Sequence, residues 1–285
     1  MYCYGRWYGA FGIVKPQPYD IKLFEKVAAK LSKGSLKTIP FRVSTLVDPL
    51  QPIEKTERFT LKALKTAKRY KIPIILNTKS NLAAEEPWLT LIEDLAFEGL
   101  LLYQTSISTL DEDIAARLEP GVPSPEERLK VVEKLSSRGV PTVARIQPLI
   151  PGITDFEIDE LLEKLKIAGV KQVIVEILRI FKDQVKLYRE LARVKDAYTV
   201  EWPGYMDKPV EDTKLPIVKP SRNMARRLLE RVADSARKAG ILFSTCKEGA
   251  FDLHTTPDCC GIHLLNPGKA ALRPTLNEYF KLWRK

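Results

Sequence analysis

Cysteine and histidine are scarce in this chain, which has four cysteines and two histidines in 285 residues. So few cysteines, so unevenly placed, cannot form the disulfide framework of a secreted scaffold, and in a cytosolic chain they read better as metal ligands. Long apolar runs are missing too. No stretch approaches the ~20 uncharged apolar residues of a membrane span, and the first residues lack the basic segment and apolar core of a secretory leader. A cytoplasmic location and no membrane partner are therefore expected. Neither an internal repeat nor a low-complexity tract is evident. The hydrophobic share of 45% and charged share of 29% are those of a globular protein long enough to bury a full core.

The net charge of +10 is unevenly spread. Residues 1–79 hold 16 Lys and Arg against 5 Asp and Glu, whereas residues 80–285 hold 30 against 31. Lys55, Arg58, Lys62, Lys65, Lys68 and Arg69 recur at helical spacing and would share one face. Two readings stay open: a solvated, Lys-rich surface, or a footprint for the phosphate backbone of a nucleic acid.

Apolar periodicity alternates between strand and helix. Residues 20–33 carry Ile21, Phe24, Val27, Ala28 and Leu31 on one helical face, and Gly34 ends the run. Strands are expected over about 38–47, 72–76, 100–107, 140–149 and 173–178. Helices are expected over about 54–70, 87–97, 111–117, 125–138 and 155–168. Ser124-Pro125-Glu126-Glu127 opens one of them, with proline in the first turn and acids on the positive end of the dipole. Strands apolar on both faces and separated by single helices indicate parallel βαβ units, hence a barrel or a doubly wound sheet. Polar residues gather at the strand ends, where parallel sheets bind ligands: Asp48, Thr78-Lys79-Ser80, Ser106, Ser108, Arg145, Gln147, Glu176 and Arg179. Beyond residue 182 the alternation weakens. Residues 200–220 are proline-rich, and 221–239 read as a charged amphipathic helix.

The tail concentrates soft ligands. Cys246, His254, Cys259, Cys260 and His263 include three of the four cysteines and both histidines. A metal site is the functional reading, with thiolates suited to zinc or an iron–sulfur cluster and a fourth ligand from His254, His263 or Cys3. A surface Cys-Cys pair with incidental histidines is the other.

Several strings together are similar to the radical SAM enzymes, in particular the spore photoproduct lyase-like group often called DNA repair photolyases. They are Thr45-Leu46-Val47-Asp48-Pro49-Leu50-Gln51-Pro52-Ile53-Glu54, Thr78-Lys79-Ser80 and Ser106-Ile107-Ser108-Thr109-Leu110-Asp111. Leu118-Glu119-Pro120-Gly121-Val122-Pro123-Ser124-Pro125-Glu126-Glu127-Arg128-Leu129 and Arg145-Ile146-Gln147-Pro148-Leu149-Ile150-Pro151-Gly152 follow in the family's order, over roughly residues 40–180. The resemblance implies an α/β fold, a partial (β/α)6 barrel lacking its first strand over residues 1–182, with a Cys/His-containing extension over 183–285. It also implies a [4Fe–4S] cluster held by three cysteines, with S-adenosylmethionine on the fourth iron. Reductive cleavage to a 5′-deoxyadenosyl radical would then act on an unassigned substrate, nucleic acid among the candidates, with an electron donor protein as partner.

Under that resemblance Ser106 and Ser108 would hydrogen-bond the nucleoside hydroxyls, or else cap their strand. Lys79 would hold the methionyl carboxylate, or else be a solvated lysine. Asp48 and Glu54 would take the amino group or ribose, although Asp-Pro also starts turns. Arg145 would clamp a carboxylate or phosphate, or else join a structural ion pair. Cys3, in Tyr2-Cys3-Tyr4, matches the last cysteine of a C-x-x-x-C-x-Y-C cluster loop, which places the middle cysteine just before Met1. The expectation is a chain that starts inside its cluster motif and cannot, as written, hold a three-cysteine cluster. The product-forming cysteine of true spore photoproduct lyases is also missing, since residues 4–245 contain no cysteine. Two alternatives stand beside this reading: a catalytically degenerate nucleic-acid-binding barrel, and a TIM-barrel lyase or aldolase with Lys79 as Schiff-base amine.

Overall fold

The computed structural model describes residues 20–34, 37–43, 47–181, 184, 186, 188, 191, 217–218, 220–246 and 248–271. Helix α1 (Ile21–Ser32) starts where Asp20 accepts a hydrogen bond from the Leu23 N–H, satisfying one orphan donor of the first turn. Strand β1 (Phe41–Val43) follows. The helix expected over 54–70 is two helices, α2 (Glu54–Glu57) and α3 (Phe59–Tyr70), parted at Arg58, whose φ is 55°. The Glu54 carboxylate causes the break. It folds back to accept the N–H groups of Thr60 and Leu61 at 3.1 and 2.9 Å, capping α3 from inside the core.

The remaining elements follow the expected alternation: β2 (Ile74–Asn77), α4 (Trp88–Phe97), β3 (Leu101–Ser106), α5 (Glu112–Leu118), α6 (Pro125–Ser137), β4 (Thr142–Leu149), α7 (Ile158–Ile167) and β5 (Gln172–Ile177). Ser124 and Glu127 form a reciprocal capping box, with Pro125 in the first turn of α6. A short antiparallel pair, β6 (Ile180–Phe181) with β7 (Ile217–Val218), precedes α8 (Arg222–Ala239) and β8 (Leu242–Thr245).

Among the described residues six strands form one open sheet in the order β1-β2-β3-β4-β5-β8, every pairing parallel. The expected α/β fold of parallel βαβ units is thus borne out. Its sixth strand comes from beyond residue 182, where the chain returns through α8. Successive side chains alternate between two faces. On one, Ile74, Leu76, Leu101, Tyr103, Ala144, Ile146, Val173, Val175 and Phe243 join the main core with the helices. On the other, Ile75, Leu102, Val143 and Ile174 form a second cluster, closed by Cys260, Ile262, Leu265 and Ala270 from the chain's last described stretch.

Residues 258–271 therefore run beneath the sheet. Asn266 N–H donates to Gly99 O at 2.9 Å, and at the β1 side Thr38 N–H donates to Lys269 O at 3.2 Å while Ala271 N–H donates to Thr38 O at 2.8 Å. Gly261 makes the close approach possible. Its φ is +79°, and a Cβ there would lie 2.9 Å from Val143 Cγ2. Among the described residues no helix is long and apolar enough to cross a membrane.

Candidate active site

The second face of the sheet changes character along its length. Near the strand starts it is the apolar cluster just described. Toward the strand ends the same alternation presents Arg42, Asn77, Gln104, Ser106, Arg145, Gln147 and Glu176. Gln104 is the hub. Its Oε1 accepts from Arg42 Nη1 and from Arg145 Nη1, each at 3.0 Å, and its Nε2 donates to the Cys260 carbonyl at 2.7 Å. A carbonyl can only accept, so Cys260 fixes which way the amide points. Arg145 Nε donates in turn to Gln147 Oε1 at 2.7 Å.

Two polar atoms at this edge are buried without a hydrogen-bond partner among the described residues: Gln147 Nε2 and Ser108 Oγ. A buried polar atom without a partner costs about 1–3 kcal/mol, so each is a place where a ligand repays a debt of the free protein. The Ser108 hydroxyl makes no capping hydrogen bond among the described residues. Gln147 owes its position to an irregularity. The β4–β5 register shifts between Ile146 and Leu149, where Pro148 lacks a ladder N–H.

Other expected site residues serve the frame of the rim. Asp48 Oδ1 accepts from Leu50 N–H and Thr78 Oγ1 at 2.9 and 2.6 Å, and its Oδ2 from Lys79 N–H at 2.7 Å. It ties the loop after β1 to the loop after β2. Glu54 is 3% exposed and spent on the α3 cap and on Trp88 Nε1 at 3.3 Å. Lys79 pairs with Glu119, which also pairs with Arg128 Nη2 at 2.7 Å, while Arg128 Nη1 donates to Ser106 O at 2.7 Å. The Glu119 and Arg128 of the Leu118–Leu129 string thus join the β2 and β3 ends. Burial pushes the Glu119 carboxyl above its ordinary range, and Arg128 opposes the shift. An ammonium held by a carboxylate is also a poor start for a Schiff base, which needs the free amine.

The tail is built around Asp258. Its carboxylate accepts the N–H groups of Cys260, Ile262 and His263 at 2.8, 2.9 and 2.9 Å, and meets His263 Nδ1 at 2.7 Å. Burial alone would raise its pKa, but these hydrogen bonds outweigh it and hold the carboxyl below the ordinary value. Cys259 Sγ and Cys260 Sγ lie 3.5 Å apart, and Cys246 and Cys259 pack against the second cluster that contains Cys260. His254 is engaged elsewhere: its Nε2 accepts the Thr245 N–H at 2.8 Å, and burial lowers its pKa. Among the described residues no three His, Cys, Asp or Glu side chains are arranged to hold a metal ion. Cys3 lies outside those residues.

The basic face of α2 and α3 is partly neutralised. Lys55 pairs with Glu85 at 2.9 Å, Lys68 with Asp94 at 2.6 Å and Arg69 with Glu25 at 3.3 Å. Such exposed pairs contribute little to stability but reduce the field available to a polyanion.

Sequence reasoning passed over Gln104, Arg42 and Asp258. Gln104 left a signal, a glutamine inside the fully buried run Leu101–Ser106. The other two left none.

A parallel sheet with helices on one face and converging polar side chains at its strand ends is the architecture of an α/β enzyme that binds its ligand at that edge. The radical SAM superfamily model matches residues 1–165, more than half of the chain, and the chain belongs to that superfamily. An uncharacterized protein, ORF301 of Acidianus two-tailed virus, is 28% identical over 171 residues, which are 58% of this chain and 53% of that protein. The chain therefore spans about half the length of that relative. Spore photoproduct lyase complexed with dinucleoside spore photoproduct is similar in fold, with TM-score 0.56 and 15% identity over 84% of this chain and 68% of that one. Streptococcus suis SuiB bound to S-adenosylmethionine is similar with TM-score 0.51 and 16% identity, over 82% of this chain and 45% of that one.

The superfamily implies two groups. For the [4Fe–4S] cluster, the described residues supply no ligand set. For S-adenosylmethionine they offer a fit: a hydroxyl and an amide N–H without partners at the strand ends, beside a guanidinium and the carboxylate frame of the rim.

Proposed function

We propose that this protein is a radical SAM enzyme that binds S-adenosylmethionine at the open ends of β3 and β4. The observation that carries this is the pair of buried, unpartnered atoms there, Ser108 Oγ and Gln147 Nε2, in a chain of this superfamily. When bound, S-adenosylmethionine supplies the hydrogen-abstracting chemistry, and the protein's part is to bind, orient and exclude water. Ser108 donates to or accepts from a hydroxyl of the nucleoside. Asp48, Glu119 and Arg128 hold the loop that carries Lys79 and the β3 end at Ser106 in one geometry, so that little ordering entropy remains to be lost on binding. Nucleic acid is the substrate class that the basic first 79 residues and the likeness to a lyase of a dinucleoside photoproduct favour.

Titration calorimetry of the chain with S-adenosylmethionine tests the reading without a cluster. Ser108→Ala removes one hydrogen bond and is expected to weaken binding by about three- to tenfold. Unchanged binding in the variant, or none in the parent, overturns it.

A further inference from the structure

The strand starts, at the opposite edge of the sheet from the proposed cofactor site, carry a cleft of about 350 Å³. It opens between the ends of α1 and α3, the segment before β1 and the last described stretch. Of its eleven described lining residues four are cationic, Lys37, Arg69, Lys71 and Lys269, and none is acidic. Two of the four have a local reason to be there. Arg69 lies in the last turn of α3 and Lys71 ends it, where positive charge answers the helix dipole. Each also pairs with a carboxylate, Glu25 or Glu98.

Lys37 and Lys269 have no such reason. Neither lies on a helix, and among the described residues neither makes an ion pair. The backbone brings them together. Thr38 and Ala270 form a parallel bridge, and Lys37 and Lys269 each stand one residue before their bridging neighbour. Two like charges thus occupy neighbouring places on paired backbone, which is an unfavourable arrangement in the absence of an anion. The Thr38 and Tyr70 hydroxyls line the same cleft and make no hydrogen bond among the described residues, so both are free to donate.

We propose that this cleft binds a small anion carrying several phosphate charges, an inorganic or nucleoside polyphosphate, between α3 and the stretch that runs beneath the sheet. A carboxylate is satisfied by one cation, whereas a polyphosphate spreads its charge over many oxygens and can meet cations from three separate segments. The cleft has the volume of a small-molecule site. The inference goes beyond the function proposed above and does not depend on it. Its consequence is mechanical: an anion shared by Lys269 and the end of α3 fastens the closing stretch to the helix layer.

Tripolyphosphate, orthophosphate and a single-stranded oligonucleotide, each titrated into the whole chain by calorimetry, test it. Tripolyphosphate is expected to bind about tenfold or more tighter than orthophosphate, to weaken as salt rises and to raise the thermal unfolding midpoint. The double variant Lys37→Ala, Lys269→Ala is expected to lose about tenfold or more in affinity for it. Both side chains are exposed, and the bridge between their segments is made by backbone alone, so the variant keeps the fold. Should it not, Lys37→Gln and Lys269→Gln remove the charge, keep most of the side chain and are expected to weaken binding as well. No tripolyphosphate binding in the parent overturns the proposal, as does full affinity in the variants. Binding of the oligonucleotide without binding of tripolyphosphate overturns it too, because the occupant is then a polymer. Absence of S-adenosylmethionine binding with tripolyphosphate binding intact sinks the proposed function and leaves the cleft standing.

Discussion

Gln104 and Cys260 are 156 positions apart in sequence, yet the amide of one donates to the carbonyl of the other at 2.7 Å. That bond joins the middle of a central strand to the stretch that closes the sheet from beneath. Its other consequence is electrostatic. With Nε2 committed to Cys260, only Oε1 is left to face Arg42 and Arg145, so the tail sets the orientation of the group on which both guanidinium groups converge.

Gly261 lets the tail approach that closely. Gly261→Ala faces two penalties: a left-handed φ, and a Cβ 2.9 Å from Val143 Cγ2 and 3.1 Å from Leu102 Cδ2. Gly139→Ala is the control, with φ of +80° and nothing within 4 Å of its added Cβ. The control is expected to lose about 1 kcal/mol from backbone strain alone, and Gly261→Ala about 2–4 kcal/mol, because overpacking adds to the strain. Denaturant midpoints of the two variants decide it. Equal losses would mean that the tail shifts freely away from the sheet.

Most of the fold could be read from the sequence because its strands are runs of apolar residues between helices, and burial on both faces leaves that mark. The split at Arg58 could not, since it depends on a Glu54 carboxylate turned inward, and a lysine-rich helical period continues across it. Strand β8 hid because Leu242–Thr245 is four residues long and follows a region without clear alternation. For the site, spacing located the strand ends, and Ser108 and Arg145 with them. It could not say that Glu54 and Asp48 turn into the frame, because their partners are backbone N–H groups, which no side-chain pattern reveals. Nor could local spacing show that Arg42 reaches across β2 to meet Gln104 on β3.

Acid should loosen the tail in a defined window. Asp258 has its pKa held below the ordinary 3.8 by His263 and the N–H groups it accepts, against the opposing effect of burial. A carboxyl lowered in the folded state adds stability above its unfolded pKa, and that stability is lost as pH falls through the folded value. Asp258→Asn puts an amide donor where N–H groups already point, and is expected to cost about 2–3 kcal/mol at neutral pH. The gap between parent and variant should narrow as pH falls below 3.8, measured by thermal unfolding across that range. A gap constant from neutrality to pH ~3 would show that the carboxylate charge carries none of the effect.

The last expectation concerns the thiol beneath the arginines. Cys260 is lowered to about 6, first by the hydrogen bond with Cys259, against burial, and then by the field of Arg42 and Arg145. Cys259 is pushed the other way, by the same hydrogen bond and by burial. At neutral pH Cys260 is then the thiolate of the pair, and thiolates alkylate while thiols do not. The pH profile of its iodoacetamide labelling, read by peptide mass spectrometry, should rise near pH 6. Removing a cation that favours the thiolate must raise the thiol's pKa, so Arg145→Met should move that rise to higher pH. A Cys259→Ala variant, which removes the donor, should move it further, because the hydrogen bond from Cys259 is the larger influence. A profile that stays at the parent's position in Arg145→Met would mean that the guanidinium does not face the sulfur.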